Sequence, residues 1–203
     1  MFFRFYKSTP KTFDVETVNT VRKYEYADSN GKNIIIENSL PKGGMKYIDP
    51  KGEEFRRIIF FTRIINETEK PIALNIDLPV YSYQVPTLPG KYFKILIPSD
   101  TMTLDKEPLQ DYGMKDINPF LDNSINKPSY LGRTINPKES SGFYVIILFE
   151  KGVSGTTRTG LYLKGQNLFY KVARYTGKQG GSFVDEKEIN CGSINLKNLV
   201  RKK

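Results

Sequence analysis

The sequence predicts an all-β protein, a sandwich of antiparallel sheets with a short helical insertion at about 99–125. Three observations carry this expectation. The 203 residues include 13 Tyr and 13 Phe, side chains that suit pleated, half-buried surfaces. Short apolar segments follow one another between turn residues, with no long helical period separating them. Finally, the segments 58–65 and 142–150 are apolar at almost every position, whereas 72–78 alternates. The first pattern marks strands covered on both faces and the second a strand with one face in water.

The elements follow in order. FFRFY at 2–6 is strand-like, and so are VRKYEY at 21–26 and NIIIE at 33–37, which flank a hairpin signal at Asn30-Gly31. LPKGG at 40–44 and DPKGEE at 49–54 read as turns. In the central strand one face carries Ile58, Phe60, Thr62 and Ile64, and the other Ile59, Phe61, Arg63 and Ile65. After the turn NETEKP, Pro71 opens a more exposed neighbour, where its missing N–H is tolerated. There Ile72, Leu74, Ile76 and Leu78 face Ala73, Asn75 and Asp77 across the pleat. KYFKILI at 91–97 and GFYVIILFE at 142–150 add two strands. TRTGLYLK and NLFYKVARY form a hairpin about Gly165-Gln166, and INCGSINL supplies a last short strand. The expected organisation is a segment 1–54 of strands and turns packing on a core, 55–203, that carries an insertion at 98–130.

Within the insertion, Ser99, Asp100 and Thr101 are N-cap candidates and Gly113 a C-terminal stop. Ile117, Phe120 and Leu121 fall at helical spacing, with Pro119 in an early turn. One or two short helices are expected to pack across a sheet through Met102, Leu104, Leu109, Phe120 and Leu121. Their polar side would present Asp105, Glu107, Asp111 and Tyr112 to a partner; the alternative is a lid over the core.

The motifs FTRIINETEKPIAL at 61–74, LPGK at 88–91, INPKESSGFYV at 135–145 and LYLKGQNLFYKV at 161–172 together bear a resemblance. The layout of these turns resembles the immunoglobulin-like, telokin-like β-sandwiches of uncharacterised exported or lipid-anchored bacterial proteins. It spans roughly residues 55–175, the size of such a sandwich. The resemblance implies an immunoglobulin-like fold and a place in the cell envelope, and carries over no catalytic residue.

Composition narrows the chemistry. The chain has no histidine, which removes Ser-His-Asp and Cys-His catalysis together with the commonest transition-metal ligand. Its one cysteine, Cys191, excludes an internal disulfide and any multi-thiolate zinc site, and is read as a buried thiol. No apolar run is long enough to span a membrane. MFFRFYKSTPKTF is broken by Arg4 and Lys7 before a signal-peptide core can form. The protein is therefore expected in the periplasm or at the cell surface if a leader has been removed, with any lipid anchor in that precursor, and in the cytoplasm otherwise.

Five features are candidate sites. Asp100, Asp105, Glu107, Asp111, Asp116 and Asp122 make the insertion acidic, but acidic residues near helix starts are expected, and no EF-hand spacing occurs. Net charge is +9, with 11 Lys or Arg in 151–203 against Asp185, Glu186 and Glu188. This could serve a polyanion, although Lys171 and Arg174 fall on opposite faces of a strand. Asn66-Glu67-Thr68 matches a glycosylation sequon but is read as a turn. Ser140-Ser141 after Lys138 is a nucleophile-like pair without an oxyanion motif, and GMKYIDPKG and GKQGG lack the strand-to-helix context of phosphate loops. The expected function is a non-catalytic binding module without cofactor or metal, whose partner is a protein or a glycan rather than nucleic acid. A carboxylate-based glycan hydrolase and a polyanion binder are the alternatives.

Overall fold

The computed structural model describes residues 22–86, 88–175 and 185–202. The expected strand at 2–6 and the GKQGG segment lie outside them. Strands run in the order β1 (Arg22–Ala27), β2 (Asn33–Asn38), β3 (Lys42–Ile48), β4 (Glu54–Asn66), β5 (Ile72–Leu78), β6 (Tyr83–Gln84) and β7 (Tyr92–Leu96). After an insertion with one α-helix, α1 (Ile117–Ser124), come β8 (Ser129–Ile135), β9 (Ser140–Glu150), β10 (Thr156–Lys164), β11 (Asn167–Tyr175), β12 (Asp185–Ile194) and β13 (Val200–Arg201). Two sheets result, and all their pairings are antiparallel. The first runs β13-β1-β2-β4-β9-β7-β6 with β3 beside the N-terminal half of β4; the second runs β10-β11-β12-β5-β8. This is an all-β, sandwich-like fold with a short helical insertion. The strands of 22–54 are members of the first sheet, with β2 and β3 both bonded to β4. Among the described residues no helix is long and apolar enough to cross a membrane.

The doubly apolar strands are the spine of the molecule. β4 and β9 pair in unbroken register from Phe55↔Glu150 to Ile65↔Ser140. Their inner faces, with Ile58, Phe60, Ile64, Val145 and Ile147, meet the second sheet in the larger core. Their outer faces, with Ile59, Phe61, Tyr144, Ile146 and Leu148, form a second core under the insertion, capped by Met102, Tyr112, Met114, Ile117, Leu121 and Ile125. Each such side chain contributes roughly 1.5–3 kcal/mol when fully buried. Leu104 and Leu109, expected in this layer, are instead exposed.

β4 and β5 are neighbours in sequence but lie in opposite sheets, so the alternation of β5 reports the second sheet and not a partner of β4. The turn between them is a corner built on Asn66, which is fully buried. Its amide donates to the Lys70 and Ile135 carbonyls at 2.8 and 2.9 Å, and its Oδ1 accepts from the N–H and hydroxyl of Thr68. The sequon residues are therefore consumed by the turn. LPKGG proves to open β3 and is no turn: Gly43 and Gly44 hold φ of +96° and +86°, and the register with β4 slips there as a bulge. In the β1–β2 loop only Gly31 takes positive φ, while Asp28 Oδ1 accepts from the N–H groups of Asn30 and Lys32. The two-residue hairpin at Gly165-Gln166 forms as expected. INCGSINL ends a strand of 10 residues, longer than the sequence suggested.

The exposed edge of the second sheet is closed by side chains. Asn38, buried in β2, donates to the Leu161 carbonyl at 3.1 Å and accepts from the Leu161 N–H at 2.8 Å, as a strand would. Its Oδ1 also accepts from the Thr62 hydroxyl, and Tyr26 accepts from the Leu163 N–H. At the opposite edge Arg133 of β8 reaches the Ser141 hydroxyl and the Gly142 carbonyl of β9. Asn38→Ala would strand two buried backbone groups and should cost about 2–4 kcal/mol. Urea unfolding measures this, and a loss near zero would show that the edge closes without the amide.

Candidate binding groove

The insertion begins by extending the first sheet. Thr101 bridges Phe143, and the Met102 N–H donates to the Gly142 carbonyl at 3.1 Å. Glycine is required at 142, since a Cβ there would lie 2.3 Å from the Met102 carbonyl oxygen. A 3-10 turn at Leu104–Lys106 follows, preceded by Thr103, so none of Ser99, Asp100 or Thr101 caps a helix. A second turn at Gln110–Gly113 contains three successive left-handed residues, Asp111, Tyr112 and Gly113, at φ of 49°, 55° and 65°. Asp116, also left-handed, precedes α1, whose Pro119 falls in the first turn as expected.

Left-handed backbone costs about 1–2 kcal/mol for each non-glycine residue, and here side chains hold it in place. Asp111 pairs with Arg57 of β4 at 2.9 Å, both nearly buried. The Tyr112 hydroxyl donates to the Leu40 carbonyl at 2.6 Å, its own carbonyl accepts from the Tyr144 hydroxyl at 3.0 Å, and its ring meets Phe61 edge-on. Lys42 donates to the Glu107 and Leu109 carbonyls, with its ammonium 4.1 Å from the Tyr112 ring centre. Burial pushes the Tyr112 and Tyr144 hydroxyls up, so both remain neutral donors. From beneath, α1 is held by three further bonds: Tyr47 Oη to Asp122, Arg57 Nη1 to Asn118, and Lys94 Nζ to the Ile125 carbonyl.

Between α1 and the 100–106 segment this path leaves an open groove of about 740 Å³, within the range of ligand sites. Its lining includes the half-buried Phe120, an edge of the nearly buried Tyr144, and the charged Asp100, Lys106, Lys115 and Asp116. Two carboxylates and two ammonium groups around aromatic surface suit a polar chain with apolar parts, such as a peptide or a glycan.

Of the residues singled out in the sequence, Asp105 is exposed and Glu107 half-buried, while Asp111 and Tyr112 point into the second core. None of the four lines the groove. Asp111 instead borders a smaller hollow of about 450 Å³ beside β3, with Lys42, Gly43, Met45 and Leu109. The left-handed run explains the difference, because it reverses the facing that a helical turn would give. Its one trace in the sequence is Gly113, a residue that by itself signals only a helix stop.

The other candidates are absorbed by the fold. Ser140 and Ser141 accept from Arg63 and Arg133, and Lys138 is engaged by the Glu67 carbonyl and the Glu69 carboxylate. The Asp49 carboxylate closes its own turn by accepting from the N–H groups of Lys51 and Glu53. Lys164 pairs with Glu188 and Lys171 with Glu186, each at 2.6 Å, and Lys164 also lies 4.8 Å from the Phe169 ring centre. Thus part of the basic charge of the hairpin is balanced locally. Among the described residues no three His, Cys, Asp or Glu side chains gather as metal ligands would. Searches against family models, curated proteins and solved structures found no match to this chain.

Two predictions follow from this packing. Asp111→Ala leaves Arg57 buried without its carboxylate and should cost about 3–5 kcal/mol in urea unfolding. Adding Arg57→Met should cost clearly less than the sum of the single effects; strict additivity would show that the pair is uncoupled. Burial pushes the Cys191 thiol up to about 12, so it should resist alkylation at pH 8 in the folded protein and react once urea unfolds it. Prompt labelling of the native state would contradict that burial.

Proposed function

We propose that this protein is a non-catalytic interaction module that recognises a peptide or glycan through the groove between α1 and the 100–106 segment. The observation that carries this reading is the groove itself, with its mixed rim and aromatic surface, set on a backbone path pinned by buried side chains. A recognition surface gains from such fixing because little ordering is left to the moment of binding. A place in the bacterial cell envelope, and an immunoglobulin-like relationship, draw their support from the turn pattern at 61–74, 88–91, 135–145 and 161–172. A second reading, carboxylate-based glycan hydrolysis, draws on Asp100 and Asp116 at one groove.

The test is binding of purified protein to arrays of envelope glycans and of peptides, followed by titration of the hits. Phe120→Ala and Lys115→Glu should weaken a genuine ligand about tenfold or more, worth roughly 1.4 kcal/mol, without lowering the melting temperature by more than a few degrees. Binding unaffected by both substitutions would place recognition elsewhere. Turnover of a glycan that disappears in Asp100→Asn or Asp116→Asn would favour the hydrolase.

A further inference from the structure

The first sheet has one open edge. β9 pairs along β4 on one side, and β2 and β3 share the other side in succession. β2 is covered in turn by β1, whereas among the described residues β3 pairs with β4 alone. The 7 residues of β3 therefore present an uncovered row of backbone groups. This edge also carries apolar side chains: Met45 and Ile48, on opposite faces, are 54% and 53% exposed. Met45 borders the hollow of about 450 Å³ together with the exposed Leu109. Proteins ordinarily cover such an edge, because it templates one more strand.

The path of the chain points to what covers it. β1 is antiparallel to β2 and begins at Arg22, opposite Asn38, the last residue of β2. β3 starts at Lys42, a short step further along the same β4. Carried back from Arg22 in the line of β1, the chain therefore runs beside β3. The 21 residues that precede Arg22 are more than this edge needs at about 3.3 Å each. Within them the segment 12–18, TFDVETV, alternates with an acidic side: Phe13, Val15 and Thr17 against Asp14 and Glu16.

The faces match as well. Against β4, the β2–β3 stretch gains one residue between Asn38↔Thr62 and Lys42↔Ile59, and a second between Gly43↔Ile58 and Met45↔Arg57. Two such slips restore the phase of the pleat. Even-numbered residues in line with Tyr24 and Tyr26 then share the inner face with Lys46 and Ile48, and odd-numbered ones the outer face with Met45 and Tyr47. Lys46 shares the Glu54 carboxylate with Lys151, so the inner side of the edge has cationic charge to spare.

We propose that residues 12–18, which lie outside the described residues, close this edge as a strand antiparallel to β3. Phe13 and Val15 then fall on the side of Met45 and the hollow, and Asp14 and Glu16 on the side of Lys46. The added strand denies the edge to other chains. The proposal is independent of the groove and of the function proposed for it.

The experiment is amide hydrogen exchange of the full chain, read residue by residue over 42–48 and repeated at several protein concentrations. Val15→Pro removes a donor from the added strand. It should speed exchange of the β3 amides that point away from β4 about tenfold or more, and leave β5 and β8 unchanged. The double variant Asp14→Lys, Glu16→Lys sets like charges beside Lys46 and should speed the same amides. Fast exchange at those amides in the wild type would overturn the proposal, and would leave the edge to an outside peptide. Protection that both variants retain would overturn it too. If that protection rose with protein concentration, a second copy of the chain would be the occupant instead.

Discussion

The rest of the structure depends on the burial of the β4–β9 pair on both faces. Two adjacent strands apolar on each side cannot sit in a sheet with one solvated face, so the chain must supply a layer above and a layer below. The second sheet is one layer. The other is only some thirty residues of insertion, too few for a third sheet, and it covers Phe61, Tyr144 and Ile146 with single side chains placed one by one. That demand explains why the insertion has short turns and one short helix in place of long elements. Its backbone follows whatever path puts Met102, Tyr112, Met114, Ile117 and Leu121 over the sheet.

A second constraint is the closure of sheet edges, which two buried asparagines meet in the same way. An Asn side chain carries a carbonyl and an amide, the same pair of functions as a peptide unit. Asn38 uses this to bond both backbone groups of Leu161, and Asn66 to bond Ile135 and turn the chain between sheets. An unmade backbone bond at a buried edge costs about as much as a lost core methylene or more. These residues therefore rank with the large apolar ones in holding the two layers together, although each buries little apolar area.

What the sequence disclosed divides along the same line. Pleat alternation depends on which face meets solvent, so β4, β5, β9 and the β10–β11 hairpin were legible, as was the packing of Met102 and Leu121. Features set by distant partners were not. Nothing local in LPKGG says that Gly43 and Gly44 form a bulge against β4, and NETEKP has the composition of a hairpin turn as much as of a corner. Leu104 and Leu109 look like core residues, yet the turns that carry them face outward. Asp111 and Tyr112 look like surface residues, yet Arg57, Leu40 and Tyr144 draw them in across distances in sequence that no periodicity reports. The groove shares that origin: Lys106, Lys115, Asp116 and Phe120 become neighbours only after the left-handed run has redirected the chain.

That run bears on whether the insertion is merely a lid. Covering the outer face of β4 and β9 requires apolar side chains, and an ordinary amphipathic helix would supply them without backbone strain. Asp111, Tyr112 and Asp116 instead occupy left-handed conformations, at a combined cost of roughly 3–6 kcal/mol. The hydrogen bonds of the Tyr112 and Tyr144 hydroxyls and of Lys42 offset part of it, and the nearly buried Arg57–Asp111 pair holds the path because breaking it would leave a charge without its partner. Strain compensated so specifically fixes a shape as well as excluding water, and strained backbone in proteins gathers where a shape is used. The shape fixed here brings Asp100, Lys106, Lys115 and Asp116 to the lining of one groove with Tyr144 and Phe120. A lid has no need of that arrangement, and this is the support for the proposal that the groove is a recognition surface.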